Sequence, residues 1–275
     1  MNLGRVEIPP DLAQDVWAVG KLLYRGDFQV RSLRSVLQKL WGSSHHVDIR
    51  EVAQNLFLFR FHNTRERNFA VRGGPWLFNR FNVVLQPFRV HEIPSQVPLD
   101  RAPYWVQVHN LPVWLRKPAI ARTLAQGFAG FLDWDRSDAN RFGDYFRMRV
   151  WVNVTIPLRR GQELATEGSQ PFQVQFKYEK LRNYCYRCGL LDHVTRECEL
   201  PPLEDETEAN LPYGPWLRAW DGNYEERRVR PAEDRHERDD RARVNRGKGP
   251  QAPDSESGTN GDIDVDAELK KLAEE

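Results

Sequence analysis

Hydrophobic and polar positions along the first part of the chain predict a series of short strands and helices. Residues 16–23 are rich in β-branched and aromatic side chains, as strands are. Asp27 is a residue type that caps helices, and apolar positions recur at helical spacing behind it. These positions are Val30, Leu33, Leu37 and Leu40. The predicted elements are a strand over 16–23, a helix over 27–42, strands around 46–52 and 55–61, a helix over 64–71 and a strand over 81–88.

This βαββαβ order is the split βαβ arrangement, in which a four-stranded antiparallel sheet carries two helices on one face. Phe57, Phe59 and Phe61 share one face of their strand, and Arg60 lies on the other. Phenylalanines on the open face would form a base-stacking platform. The arginine on the opposite face and the missing glycine-rich signature favour their burial in the core instead. Three further aromatic residues are also interpreted as packing residues: Trp76, Phe78 and Phe81.

Prolines at 94, 98 and 103 predict a linker, with a second and smaller unit beyond it. Its predicted elements are a strand over 104–110, a helix over 118–131, and strands over 145–156 and 172–179. We expect this βαββ unit to pack against the first.

Charge is distributed unevenly along the chain. Lys and Arg total 40 and Asp and Glu total 39, yet the first 200 residues carry a net charge of +9. Residues 201–248 carry −2 and residues 249–275 carry −6. The basic part holds most of the aromatic residues, and 32 of the 40 cations are arginines, which suit phosphate contacts and stacking on bases. The polar composition beyond residue 225 predicts a disordered tail.

All three cysteines fall in one motif, C-x2-C-x4-H-x4-C, formed by Cys185, Cys188, His193 and Cys198. Two cysteines three residues apart can bind one ion from a tight turn, and the spacers bring the other two ligands round to complete a tetrahedron. Three thiolates and an imidazole in a closed site select Zn²⁺ and leave no position for substrate water. Clustered cysteines also exclude a disulfide scaffold and favour an intracellular, reducing compartment, with nucleus or cytoplasm left open.

The motif resembles the zinc knuckle of retroviral and retrotransposon Gag-type nucleocapsid proteins, which bind single-stranded nucleic acid. The resemblance implies that Tyr186 stacks on a base, that Val194 lines the same apolar cleft, and that Arg187 and Arg196 contact phosphate. Packing on the zinc loop is the alternative role for Tyr186. The family often has glycine where this chain has Asp192, which places a negative charge near the groove.

The wider chain resembles a plant family in which an N-terminal domain of unknown function precedes such a knuckle, similar to the first open reading frame of non-LTR retrotransposons. The segments that carry this resemblance are 73–78, Trp105–Pro112, the knuckle and Tyr213–Ala219. It implies an RNA-recognition-motif-like N-terminal fold and a Gag-like role.

The sequence therefore predicts an α+β protein in four parts. These are an RNA-recognition-motif-like domain of unknown function at 10–95, a second α/β unit at 103–180, a CCHC zinc knuckle at 183–200, and a mostly disordered tail at 201–275. The predicted function is zinc-dependent binding of single-stranded nucleic acid, RNA above all, with self-association as a further option. The alternative is a protein-interaction module in which the knuckle is only a structural clip.

The sequence gives no support for an enzyme or a membrane protein. It lacks the motifs of zinc proteases, phosphate-loop enzymes and serine hydrolases, so we expect no enzymatic activity. It also lacks a membrane-spanning apolar run. Two polar groups are interpreted as solvated turns: His45 with His46, and Asp133 with Asp135 and Asp138. Five arginines form either a phosphate-facing patch or an ordinary solvated surface: Arg60, Arg65, Arg67, Arg72 and Arg80.

Overall fold

The computed structural model describes residues 16–41, 47–137, 140, 142–166, 168, 170–202, 206–207 and 210–219. His45, His46 and Asp138 lie outside these ranges, as does residue 220 onward, which holds most of the predicted tail. No helix in the described part of the chain is long and apolar enough to cross a membrane.

The first unit has the predicted βαββαβ order with one additional short strand. Its elements are β1 (Val16–Leu22), α1 (Val30–Trp41), β2 (Asp48–Ala53), β3 (Leu56–Phe61), α2 (Thr64–Arg72), β4 (Trp76–Phe78) and β5 (Phe81–Phe88). The strands form an antiparallel sheet in the order β2-β3-β1-β5-β4. The RNA-recognition-motif-like topology is thus confirmed. The additional edge strand β4 has only three residues, too few for its pattern to be recognised in the sequence.

The three phenylalanines of β3 lie in the core, as predicted. Each of Phe57, Phe59 and Phe61 is at most 3% exposed. From α1, Leu37 is buried and the ring of Trp41 lies 5.6 Å from that of Phe59. Leu40 was expected on the same helix face but is 43% exposed. The buried face runs through positions four residues apart, which places Leu40 at its rim.

The second unit forms another five-stranded antiparallel sheet. Its elements are β6 (Arg101–His109), α3 (Pro118–Ala125), β7 (Phe131–Trp134), β8 (Tyr145–Asn153), β9 (Gly161–Leu164) and β10 (Phe172–Tyr178). The strand order is β7-β8-β6-β10-β9, which repeats that of the first sheet element by element. Pro103 belongs to β6 and not to the linker, and α3 ends six residues before the predicted end. Gly130, directly before β7, has a φ of +142°, a conformation that favours glycine.

The second unit has no counterpart of α2, because residues 154–160 between β8 and β9 form no helix. Its core is completed by side chains that follow β10. Four of these are fully or almost fully buried in one cluster with the strands: Leu181, Tyr184, Leu191 and Leu217. Two of the four lie within or beside the cysteine motif, so the knuckle is part of this core.

The second unit also covers the face of the first sheet that lies opposite α1 and α2. Val19 and Val84 from that face are buried in the same cluster as Tyr104 of β6. The hydroxyl of Tyr104 donates a hydrogen bond to Oδ1 of Asn82, at 2.6 Å. An RNA-recognition motif stacks bases on the face opposite its helices. In this protein that face of the first sheet is occupied by the protein itself.

Candidate metal centre

The four residues of the cysteine motif come together directly after β10. The ligand atoms of Cys185, Cys188, His193 and Cys198 all lie within 4.8 Å of one another. The first two cysteines are held by a tight turn, in which Gly189 donates to the carbonyl of Cys185 at 2.9 Å. Gly189 has a φ of +77°, and a Cβ there would collide with the ring of Tyr213. Glycine is therefore required at this position by both its backbone and its surroundings.

The imidazole of His193 is oriented for metal binding. Its Nδ1 lies 2.6 Å from Oδ1 of Asp192, and its Nε2 lies 3.4 Å from Sγ of Cys188. A proton on Nδ1, shared with the carboxylate, leaves the lone pair of Nε2 directed at the sulfurs. Carboxylate–histidine pairs of this kind fix the tautomer and the ring orientation in metal sites. The three sulfurs and one nitrogen thus fit a tetrahedral ion.

The charge of Asp192 is compensated within the protein. Its Oδ2 lies 2.9 Å from Nε of Arg25, and Nη1 of Arg25 lies 2.7 Å from Oε1 of Glu199. Burial raises the pKa of Asp192, but the hydrogen bonds from His193 and Arg25 outweigh this effect and lower it. The carboxylate that was expected to place a negative charge near the groove is therefore engaged by the histidine on one side and the arginine on the other.

The thiols differ in acidity. Burial raises the pKa of Cys188 to about 12. Burial also acts to raise the pKa of Cys198, but hydrogen bonds, the largest from His193, lower it to about 7. Cys198 therefore reaches its thiolate form more readily than Cys188, and the thiolate is the form that binds metal.

Two of the predicted nucleic-acid contacts, Tyr186 and Val194, pack against the protein. The ring of Tyr186 is half-buried, with its centroid 4.9 Å from that of Tyr184. The guanidinium of Arg218 lies 5.6 Å from the centroid of Tyr186. Val194 packs against the core of the first sheet. The two side chains thus pack against different hydrophobic clusters.

The two predicted phosphate contacts differ strongly in exposure. Nε and Nη2 of Arg187 both lie 2.7 Å from a carboxylate oxygen of Glu206, and the Arg187 side chain is only 12% exposed. The side chain of Arg196 is 83% exposed, with its nearest ion-pair contact 3.6 Å away at Glu197. Of these two, Arg196 is the one that solvent reaches. The nucleic-acid role of all four residues stays a prediction.

Three further cations, which the sequence did not indicate as part of the site, lie beside the knuckle: Arg80, Lys180 and Arg218. Nη2 of Arg218 donates to the carbonyl of Arg182 at 2.9 Å, and the carbonyl of Arg80 accepts from the amide of Asn183 at 3.1 Å. Arg80, Lys180 and Arg218 form no ion pair with any residue in the described ranges. Tyr213–Ala219 was noticed only as part of a resemblance, which gave no role for Arg218.

The five arginines considered as a patch are distributed over several elements. Arg60 lies on β3, Arg65, Arg67 and Arg72 lie on α2, and Arg80 lies in the turn before β5. Of these, Arg80 is the one whose backbone contacts the segment leading into the knuckle.

Two protein families match parts of this chain. Residues 18–96 match the family described as Domain of unknown function (DUF4283), and residues 152–200 match the family described as Zinc knuckle. The second match includes β9 and β10 as well as the four metal ligands. The predicted order, an N-terminal domain of unknown function followed by a zinc knuckle, is confirmed.

A plant protein and a solved structure are also similar to the chain. Uncharacterized protein At4g02000 of Arabidopsis thaliana is 25% identical over 139 residues, which are 49% of this chain and 43% of that protein. The chain thus matches less than half of that relative's length. The three N-terminal RNA binding domains of the yeast splicing factor Prp24 align with 60% of this chain and 65% of that chain, at 10% identity and a TM-score of 0.22. This likeness is too low to bear on fold or function.

Proposed function

We propose that this protein binds single-stranded nucleic acid, chiefly RNA, through a zinc-loaded knuckle and the cations beside it. The observation that carries the proposal is the position of Arg218, whose guanidinium lies 5.4 Å from the ring centroid of Tyr184 and 5.6 Å from that of Tyr186. Aromatic rings interleaved with arginines next to a metal-held turn suit unpaired bases, which stack on rings and on guanidinium planes.

The donor set supports zinc as the metal. Three thiolates and one imidazole favour Zn²⁺, and four protein ligands make the site structural, since none is left open for substrate. When bound, the ion would hold the turn of Cys185–Cys188 against His193 and Cys198 and so fix the position of Tyr186. The protein's own residues then make the contacts. We therefore propose a binding protein and not an enzyme.

Phosphate contacts would come from cations with little or no internal pairing. Arg80, Lys180 and Arg218 form no ion pair with a described residue, and Arg196 is largely exposed. Each phosphate neutralised on a single strand contributes about −0.7 to the slope of log affinity against log salt. Four such contacts would give a slope of about −3.

The retroelement origin is part of this proposal. The order of a domain of unknown function and a zinc knuckle, and the similarity to a plant protein, support a Gag-like protein derived from a plant retrotransposon.

The test is fluorescence anisotropy of a labelled single-stranded RNA with the full chain, in zinc and in chelator. We expect Tyr186→Ala to weaken binding about 5- to 150-fold, the loss of one stacked base. Arg218→Gln should weaken binding and reduce the salt slope. Arg31→Gln, an exposed cation on α1, is the matched control and should bind as the wild type does. Equal affinity of wild type, Tyr186→Ala and Arg218→Gln would contradict the proposal.

A second candidate function is a protein-interaction module in which the knuckle is a structural clip. The observation that favours it is that Val194 and Asp192 face the first unit and Arg187 is paired with Glu206. A clip would show only weak RNA binding that is the same in all knuckle variants. Removing zinc would then lower stability without changing RNA affinity.

A further inference from the structure

One side of the second sheet carries aromatic and polar side chains that are largely half-buried. Along β6, alternate residues Tyr104, Val106 and Val108 are fully buried, and the residues between them point to the opposite side. Of these, Trp105 and His109 are half-buried and Gln107 is buried. This side lies opposite α3, so it corresponds to the side of the first sheet that the protein covers with its own second unit.

Three consecutive cross-strand pairs occupy this side at the centre of the sheet. They are Trp105 with Arg149, Gln107 with Arg147, and His109 with Tyr145. Strand β10 extends the grid, because Lys177 lies opposite Gln107 and Gln175 lies opposite His109. The central strands thus present planar groups in a row, with amides and a lysine beside them. We call these eight residues the second-sheet grid.

The first platform in the grid is a guanidinium stacked on an indole. The guanidinium carbon of Arg147 lies 4.0 Å from the ring centroid of Trp105. Its plane is fixed by Glu179, whose two oxygens accept from Nε at 2.7 Å and from Nη2 at 2.8 Å. Burial lowers the pKa of Arg147, but the hydrogen bonds that it donates to Glu179 outweigh this and raise it, so the group stays charged. The side chain is 28% exposed.

The second platform is a pair of rings. The centroids of His109 and Tyr145 lie 5.4 Å apart at an interplanar angle of 43°. Nε2 of His109 lies 3.2 Å from Oε1 of Gln107, which ties the ring to its neighbour on the same strand. Burial, together with the charge of Lys177, lowers the pKa of His109, so the imidazole is neutral at neutral pH and presents an uncharged ring.

From this geometry we infer that the second-sheet grid is a binding surface for the bases of single-stranded nucleic acid. Bases stack on the rings of Tyr145 and His109 and on the guanidinium of Arg147, while the exposed amide of Gln175 can hydrogen-bond to base edges. Gln107 is buried, and its amide contacts Glu179 and His109 instead. Nucleic acid is favoured over a protein ligand because the polar groups of the grid are cations and amides, and the carboxylates beside it, Glu179 and Asp135, are both paired with Arg147.

The charges around the grid predict how it differs from the knuckle. Arg147 is compensated by Glu179 and by Asp135, whose Oδ2 lies 3.2 Å from Nη1. Arg149 donates to the backbone carbonyl of Gly74 at 3.2 Å. Lys177, which is half-buried, forms no ion pair with a described residue. Binding there should depend on stacking and only weakly on salt, unlike binding at the cations beside the knuckle, which form no ion pair with a described residue.

The test uses the full zinc-loaded chain and a fluorescein-labelled single-stranded RNA of about 12 nucleotides, within the length range that one single-strand-binding domain covers. Tyr145→Leu removes the ring and keeps apolar volume, and it should weaken binding about 5- to 150-fold with an unchanged salt slope. Tyr145→Phe keeps the ring and is the matched control, with wild-type affinity expected. Thermal melting of both variants confirms that each is folded.

The outcomes separate this inference from the proposed function. If Tyr145→Leu folds and binds as the wild type does while Tyr186→Ala binds weakly, the inference is wrong and the knuckle proposal stands. If Tyr145→Leu binds weakly and Tyr186→Ala does not, the grid is the binding site and the knuckle proposal is wrong. A folded wild type that binds no RNA overturns both. If Tyr145→Leu fails to fold, Gln175→Ala on the exposed part of β10 takes its place, and wild-type affinity in that variant overturns the inference.

Discussion

Arg25 and Asp192 form an ion pair, at 2.9 Å, that joins the loop after β1 to the residue next to a metal ligand. The other oxygen of the same carboxylate, Oδ1, lies within hydrogen-bond distance of Nδ1 of His193, at 2.6 Å. One carboxylate thus links the first unit to the candidate metal centre. The side chain of Asp192 is 30% exposed, so solvent screens the pair only in part.

This link predicts that the affinity for zinc depends on residues that do not bind the metal. Asp192→Ala removes the group that orients His193 and should lower zinc affinity about 10- to 100-fold, the usual effect of losing such a partner. Arg25→Gln should have a smaller effect, because Asp192 still accepts from His193. Zinc competition against a chromophoric chelator measures both. Arg50→Gln, which breaks the exposed pair with Asp48 at 2.9 Å, is the control. Wild-type affinity in Asp192→Ala would show that the carboxylate does not orient the ligand.

Zinc removal is expected to destabilise the sheets as well as the knuckle. Tyr184 and Leu191 are buried in the same cluster as the strands of the second sheet. Zinc binding that orders this segment adds to the folding free energy of the whole body. If zinc removal lowers the free energy of unfolding by about 3 kcal/mol, the melting temperature falls by about 6–12 °C for a protein of this size. Circular dichroism melting with and without chelator measures it, and Cys188→Ser should match the chelated wild type. An unchanged midpoint would mean that the core does not depend on the metal.

The need for glycine at position 189 can be tested by comparison with Gly168, which has nearly the same φ. Gly189 and Gly168 have φ values of +77° and +74°, and alanine is strained by about 1–2 kcal/mol in that region. A Cβ at Gly168 meets nothing within 4 Å, whereas one at Gly189 meets the ring of Tyr213. We expect Gly189→Ala to lower the free energy of unfolding more than Gly168→Ala in denaturant titrations. Equal losses would mean that Tyr213 moves aside without cost.

The two arginines of the motif should behave differently in RNA binding. Arg196 is exposed, so Arg196→Gln should reduce the salt slope of RNA binding by about 0.7. Arg187 is held by Glu206, so Arg187→Gln should leave the salt slope unchanged and lower the melting temperature instead. Anisotropy titrations at several salt concentrations, together with melting curves, measure both effects. A reduced slope in Arg187→Gln would show that its pair with Glu206 opens to admit phosphate.

Local patterns predicted much of the fold. The alternation in β3 and the four-residue spacing in α1 lie within single elements, so the burial of Phe59 and Leu37 followed from them. The four metal ligands lie within 14 residues, and their spacing alone identified them. The edge strands β4, β7 and β9 were missed because segments of three or four residues carry too little periodicity.

Long-range contacts could not be predicted in this way. Arg25 and Asp192 are 167 positions apart, and nothing near either residue indicates the other. Arg187 illustrates the same limit, because its position in the motif favours a phosphate contact while Glu206, 19 residues further on, neutralises it. The second-sheet grid was overlooked because its planar groups are divided between β6 and β8, and only the register aligns them.

The filling of the second core by residues beyond β10 limits where the chain can be divided. A fragment that stops at residue 180 would lack Tyr184, Leu191 and Leu217, and it would expose the apolar surface that they cover. A fragment that begins at 183 would carry the same side chains with nothing to bury them. The knuckle therefore cannot be moved into another protein without the sheet that buries its side chains. A substitution in the core of that sheet has to be matched by one in the knuckle.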